Sequence, residues 1–200
     1  VNGNFSNDQK QPGIPIYESK MNYLDQRRMF KKTQIKNERL LKFYKKVSSE
    51  PSLNHEKYIF LPLHYQPERT TNPLGGYFFK HERVIKMILE CLPEDWFLYI
   101  KEHPRQFSKG NIRYGNHGRS ESFYTKFIKT KRIKFVSLNL DSHQLLDNSL
   151  GVATISGSTG WEAVARGKNT LLFGHAWYRG CEGVHFIESK NDIEKVFELI

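Results

Sequence analysis

Two hundred residues, 38% hydrophobic and 14% aromatic, suffice for one domain with a full core or for one half of a larger two-domain enzyme. No apolar run approaches the roughly 20 residues of a membrane-spanning helix. The two cysteines, Cys91 and Cys181, are far apart and in no metal-like spacing, which argues against a disulfide framework and for a reducing compartment.

The net charge of +10 is front-loaded, with 11 basic and 5 acidic side chains in residues 1–50. Such a balance suits a solvated helix face, an anionic membrane surface, nucleic acid or small anionic ligands. The chain opens on Val1 without a charged leader and stops at Ile200 inside an apparent helix, so a piece of a longer protein is expected.

Residues 1–22 mix Asn, Gly, Pro and Ser without periodicity and are expected to be a linker or arm. Segment 23–50 is expected to be a basic helix. From Asp25 to Val47 it has no Gly or Pro, Leu40, Leu41, Tyr44 and Val47 fall at helical spacing, and a Ser-Ser-Glu-Pro-Ser stretch ends it.

Residues 51–200 then alternate short apolar runs with helical patterns. The runs are 57–64, 96–104, 133–137, 151–156 and 169–174, and the helical patterns between them are 78–92, 120–130, 141–149 and 158–167. Alternation at this spacing predicts a doubly wound α/β domain with a parallel sheet. Ligands in such sheets bind beyond the carboxyl ends of the strands, so the residues just after each run are the candidates.

The fourth of these ends, Ser156-Gly157-Ser158-Thr159-Gly160, combines a tight turn, two hydroxyls at expected N-cap positions and a glycine that lets a ligand approach the backbone. A helix start of this kind is an anion site, and it is equally a simple cap. Glu162, one turn further on, suits a ribose diol or a capping-box-like contact with Ser158.

His103 follows the second run, and Pro104 restricts the backbone so that the ring is expected to face across the sheet end and donate to a phosphate oxygen. After the first run, Gln66, Pro67 and Glu68 offer a carboxamide, a rigid bend and a carboxylate, fitting sugar hydroxyls, a general base or a turn. His175, Trp177 and Tyr178 follow the fifth run, the two aromatics as a base or sugar stacking surface or as core. Neither a GxGxxG nor a GxxxxGK[ST] stretch is present, and His55, His64 and His81 are too scattered for zinc, so no metal is expected.

Taken together, LPLHYQPERTTNPLGG, LPEDWFLYIKEHPRQF and VATISGSTGWEAVARGKNTLLFGHAWY resemble the capsule polysaccharide biosynthesis family over about residues 58–186. The best understood members of that family resemble Kdo transferases that start the lipid linker of bacterial capsules. The combination of Gln-Pro-Glu at 66–68, His-Pro at 103–104 and GSTGWEA at 157–163 is far more specific than any one motif.

The resemblance implies a GT-B glycosyltransferase of two Rossmann-like halves, this chain being similar to the C-terminal, donor-binding half. It implies His103 on the donor phosphate, as in sialyltransferase-like enzymes that use CMP-sugars, with Ser158 and Thr159 beside it. Glu162 would hold the ribose, as in non-hydrolysing UDP-GlcNAc 2-epimerases. His103 and Glu68 are the expected catalytic residues. Gln66, Pro104, Ser156, Gly157, Ser158, Thr159, Gly160, Glu162 and His175, with His103, are expected to bind substrate.

The implied partners are a nucleotide-sugar, a CMP-sugar of Kdo or a similar acid favoured, and a glycan or glycolipid acceptor of capsule or lipopolysaccharide. No metal or further cofactor and no nucleic acid are expected. The location implied is cytoplasmic, with peripheral contact at the inner membrane. The pattern departs from the family in one respect: the 56 residues before the first strand are too few for the N-terminal GT-B half, which is therefore expected as a partner outside this chain. The rival readings are a sugar-nucleotide epimerase and a basic binding module for nucleic acid or anionic membrane.

Overall fold

A computed structural model describes residues 22–66, 73–108 and 119–200. Helix α1 (Tyr23–Val47) begins where the Asn22 side chain accepts from the Asp25 amide at 2.9 Å, and it ends on Lys45 and Lys46, cations suited to the negative end of the helix dipole. Beyond it, the Ser49 amide donates to the Phe135 carbonyl and the Ser49 carbonyl accepts from Ser137, so the connecting segment runs along a sheet edge.

The sheet contains β1 (Lys57–Pro62), β2 (Trp96–Lys101), β3 (Ile133–Val136), β4 (Gly151–Thr154), β5 (Asn169–Leu172) and β6 (Val184–Phe186). Every pairing is parallel and the order is β3-β2-β1-β4-β5-β6, which is the doubly wound, Rossmann-like arrangement that the alternation predicts. Five of the strands match the apolar runs. The sixth, Val184–Phe186, is three half-buried residues behind Gly183, too short to carry a period-2 signal.

Alternation along the strands feeds two layers. Ile59, Leu61, Leu98, Ile100, Ala153 and Leu171 pack with α2 (His81–Cys91), α3 (Glu121–Thr125), α6 (Lys190–Glu198) and the second half of α1. Tyr58, Phe60, Tyr99 and Val152 pack with α4 (Ser142–Asp147) and α5 (Ser158–Val164). Fully burying a side chain such as Ile88 or Leu98 contributes about 1.5–3 kcal/mol. Tyr44 ties α1 to the sheet: its hydroxyl donates to the Val136 carbonyl at 2.7 Å and accepts from the Glu102 amide at 3.0 Å.

The strands stop before the apolar runs do. β1 and β4 are paired only at Ile59↔Gly151 and Phe60↔Val152, and beyond those residues they part. Strand order reverses between these two strands, and in doubly wound sheets it is the crevice at this switch point that takes ligands. Among the described residues, no helix is long and apolar enough to cross a membrane.

Candidate functional site

His64, two residues past β1, is buried and spans the crevice, its Nε2 3.0 Å from Thr154 Oγ1 at the end of β4. The same hydroxyl accepts from the Gly157 amide at 3.0 Å. A Cβ at Gly157 would sit 3.1 Å from His64 Nε2, so glycine is what allows the turn to close over the imidazole. The His64 amide donates to His81 Nε2 at 3.1 Å, which fixes His81 as a neutral ring with its proton on Nδ1. Burial, helped by the nearby Arg119 cation, pushes the His64 pKa down to about 4 and that of His81 well below the usual histidine range.

The His-Pro corner lies one strand away, in register, because Pro62 of β1 is opposite Lys101 of β2. His103 is exposed and caps the single turn Pro104–Phe107, its Nδ1 accepting from the Arg105 amide at 3.1 Å. That bond leaves the ring proton on Nε2, so the imidazole is a neutral donor. Pro104 opens the turn, where its missing N–H leaves nothing unsatisfied. The Tyr65 ring lies 6.0 Å from the His103 ring, bringing the loops after β1 and β2 together.

Beneath the corner lies a buried ionic network. Glu102 and Arg119, 0% and 2% exposed, meet at 2.6 Å; the Tyr124 hydroxyl also donates to Glu102 Oε2 at 2.9 Å, and the His103 amide to Oε1 at 3.1 Å. Arg119 further donates to the His64 carbonyl at 3.3 Å. One chain of contacts therefore runs from the His103 backbone through Glu102, Arg119, His64 and Thr154 to Gly157, joining the two expected phosphate-binding elements.

At the α5 start, the cap is Gly157, and Ser158 and Thr159 are the first two helical residues; no side chain caps the start. This corrects the expectation that Ser158 and Thr159 are caps, because the extended backbone that a cap requires falls one residue earlier. Ser158 Oγ instead donates to Glu162 Oε1 at 3.3 Å, and Glu162 Oε2 is 3.8 Å from His143 Nδ1. Ser156 is half-buried between β4 and this turn.

The close approach expected of a ligand at Gly160 is made by Tyr178, whose hydroxyl fills the space where a Cβ would stand and donates to the Gly157 carbonyl, while Thr154 Cγ2 lies 2.9 Å from that position. Gly160→Ala is expected to lower stability by about 1–3 kcal/mol through overpacking. Tyr178→Phe in the same background should recover part of the loss, as read from urea-unfolding midpoints.

The Gln66 backbone is clamped by Gln106, whose Oε1 accepts from the Gln66 amide at 2.8 Å and whose Nε2 donates to its carbonyl at 3.4 Å. Glu68 and Pro67 lie outside the described residues. His175 is exposed, its amide donating to the Leu74 carbonyl at 2.9 Å and its ring 5.9 Å from Phe186. Of the two alternatives for the aromatics, Tyr178 takes the core one, being buried; the exposed ring is Trp177, 4.9 Å from Trp161. Among the described residues, no group of three His, Cys, Asp or Glu side chains is placed to hold a metal.

Sequence reasoning left out His64, His81, Thr154, Glu102 and Arg119. Glu102 did carry a signal, since a carboxylate so soon after the apolar run 96–100 needs a buried partner. Nothing in the sequence names that partner as Arg119, 17 residues on and in a polar loop.

A comparison with curated proteins found no match. Among solved structures, the chain is similar to the Thermosulfurimonas dismutans KpsC β-Kdo 2,7 transferase, with 16% identity and a TM-score of 0.51, over 90% of this chain and 53% of that one. It is also similar to UDP-GlcNAc 2-epimerase from Methanocaldococcus jannaschii, with 16% identity and a TM-score of 0.50, over 82% of this chain and 43% of that one. The chain thus spans about half the length of each, and at this identity the likeness is one of fold. A family model for capsule polysaccharide biosynthesis proteins matches residues 20–189, nearly the whole chain and all the crevice motifs. With that match, the chain belongs to the capsule polysaccharide biosynthesis protein family.

Proposed function

We propose that this chain is the donor-binding, C-terminal GT-B part of a glycosyltransferase that moves a sugar from a nucleotide donor to a glycan or glycolipid of a bacterial capsule or lipopolysaccharide. The observation that carries the reading is the pair of strand-end groups at the sheet's switch point. A neutral His103 with an Nε2–H donor stands at one strand end and an α5 start without a side-chain cap at another, both held by one buried network. Fixed donors of this kind stabilise charge developing on a departing nucleotide phosphate and need no reorganisation during reaction. Ser158 and Thr159 would share that phosphate, and Glu162, held near the mouth by Ser158, would accept from the ribose hydroxyls.

The favoured donor is a CMP-sugar of Kdo or a similar acid; Gln66, Glu68 and His175 would line the sugar side. Support comes from the family match and from the fold shared with a Kdo transferase. The acceptor side would be supplied by an N-terminal GT-B half.

His103→Ala in the full-length protein is expected to lower turnover roughly a hundredfold or more, the scale seen when one fixed donor to developing negative charge is removed. His103→Gln, which keeps a side-chain N–H, should retain more activity than His103→Ala. Unchanged turnover and unchanged nucleotide affinity in both variants would remove His103 from the site.

The fold shared with a 2-epimerase supports a second reading, sugar-nucleotide epimerisation. Incubating the full-length protein with sugar nucleotides and no acceptor decides between the two, since only an epimerase interconverts the free donor.

A further inference from the structure

The second half of α1 is built into the core through Leu40 and Tyr44, while in the first half Tyr23, Leu24, Phe30 and Ile35 remain 70, 63, 47 and 57% exposed. At 3.6 residues per turn these four fall on one side of the helix together with Arg27, Arg28 and Lys31. Leu24, Arg27, Arg28, Phe30, Lys31 and Gln34 line a single open groove there. Residues 26–37 hold five basic side chains and no acidic one.

Among the described residues these cations are not consumed by buried ion pairs. Arg28 meets Asp25 at 3.7 Å on an exposed surface, a pair worth little, and Arg27, Lys31, Lys32 and Lys36 make no ion pair among the described residues. A merely solvated face would have no use for exposed leucine, isoleucine and phenylalanine side chains. A second copy of the helix would bring like charges together. Nucleic acid would use the cations but gains nothing from Leu24 and Ile35, which neither stack on bases nor bond to phosphates.

Aliphatic and aromatic side chains interleaved with long cationic ones suit the headgroup region of an anionic bilayer: the apolar groups enter the acyl boundary while the Lys and Arg stems extend alongside and keep their charges at the phosphates. We infer that residues 23–36 of α1 form an interfacial helix that docks the domain on an anionic phospholipid surface. The inference stands independently of the sugar-transfer reading, because it uses none of the crevice residues.

The test is co-sedimentation of the chain with phosphatidylcholine vesicles with and without phosphatidylglycerol. Binding is expected only where phosphatidylglycerol is present and falls as salt is raised. Replacing Arg27, Arg28, Lys31 and Lys32 together by Gln should reduce partitioning roughly a hundredfold or more. Leu24→Ser, Phe30→Ser and Ile35→Ser together should weaken binding and leave its salt dependence.

All seven side chains are exposed, so the variants should melt like the parent, which circular dichroism checks. Equal binding to neutral vesicles, no binding at low salt, or unchanged binding of the four-Gln variant would overturn the inference. So would tighter association of this helix with nucleic acid, or self-association through it in light scattering.

Discussion

Arg119→Met should destabilise the protein by about 3–5 kcal/mol at neutral pH, because it leaves the Glu102 carboxylate, 0% exposed, without its cation. The Tyr124 hydroxyl and the His103 amide still donate to Glu102, so the carboxylate keeps hydrogen bonds but loses the positive charge that offsets its desolvation. Arg119→Met combined with Glu102→Gln should be milder than Arg119→Met alone, since the remaining buried group is then neutral, its carbonyl oxygen accepts from the His103 amide and its NH2 donates to the Tyr124 hydroxyl, which rotates to accept. Urea unfolding of the two single variants and the double variant measures this coupling. Additive losses, or a cost below about 1 kcal/mol for Arg119→Met, would show that the pair does not hold the corner.

Acidification from pH 6.5 toward 5 should lower the melting temperature, with His64 and His81 as the main cause. Both histidines are held neutral by burial, with folded pKa values below the unfolded value of about 6.5, His64 at about 4. Between those values the unfolded chain binds protons that the folded protein refuses. Their contribution is therefore fully present above the unfolded pKa and is lost as pH falls toward the folded one.

For His64 alone the whole window is worth about 3 kcal/mol, or roughly 6–12 °C for a domain of this size. His64→Gln keeps an amide near Thr154 Oγ1 and removes the titration, so its melting temperature should vary less with pH over this window even where it is lower overall. A parent protein whose melting temperature is level from pH 7 to pH 5 would contradict the burial of both rings.

These two expectations concern groups that the sequence made hard to see. Apolar runs followed by helical patterns are local signals, set by side-chain period, and they were sufficient for the doubly wound sheet and for five of its six strands. Motif spacing likewise placed His103, Gly157, Ser158, Thr159 and Glu162 at strand ends, because in a parallel sheet every strand delivers its carboxyl end to the same edge. The cap position was off by one residue, since extended backbone at Gly157 satisfies the turn as well as a hydroxyl side chain could. Of the two roles open to Tyr178, stacking surface or core, packing decided for the core: Gly160 leaves a hole that the phenol fills.

What the sequence by itself determined is the layer architecture, the long basic helix and the list of polar groups at the strand ends, all of which follow from period, breaker residues and composition. Only the tertiary structure decided which of those groups act together. The meeting of Glu102 with Arg119, of His64 with Thr154 across the β1–β4 crevice, and of Tyr44 on α1 with the backbone ahead of His103 are contacts between residues 17 to 90 positions apart. No local propensity encodes such pairs; they form because burial leaves each polar group only those partners that packing brings within reach.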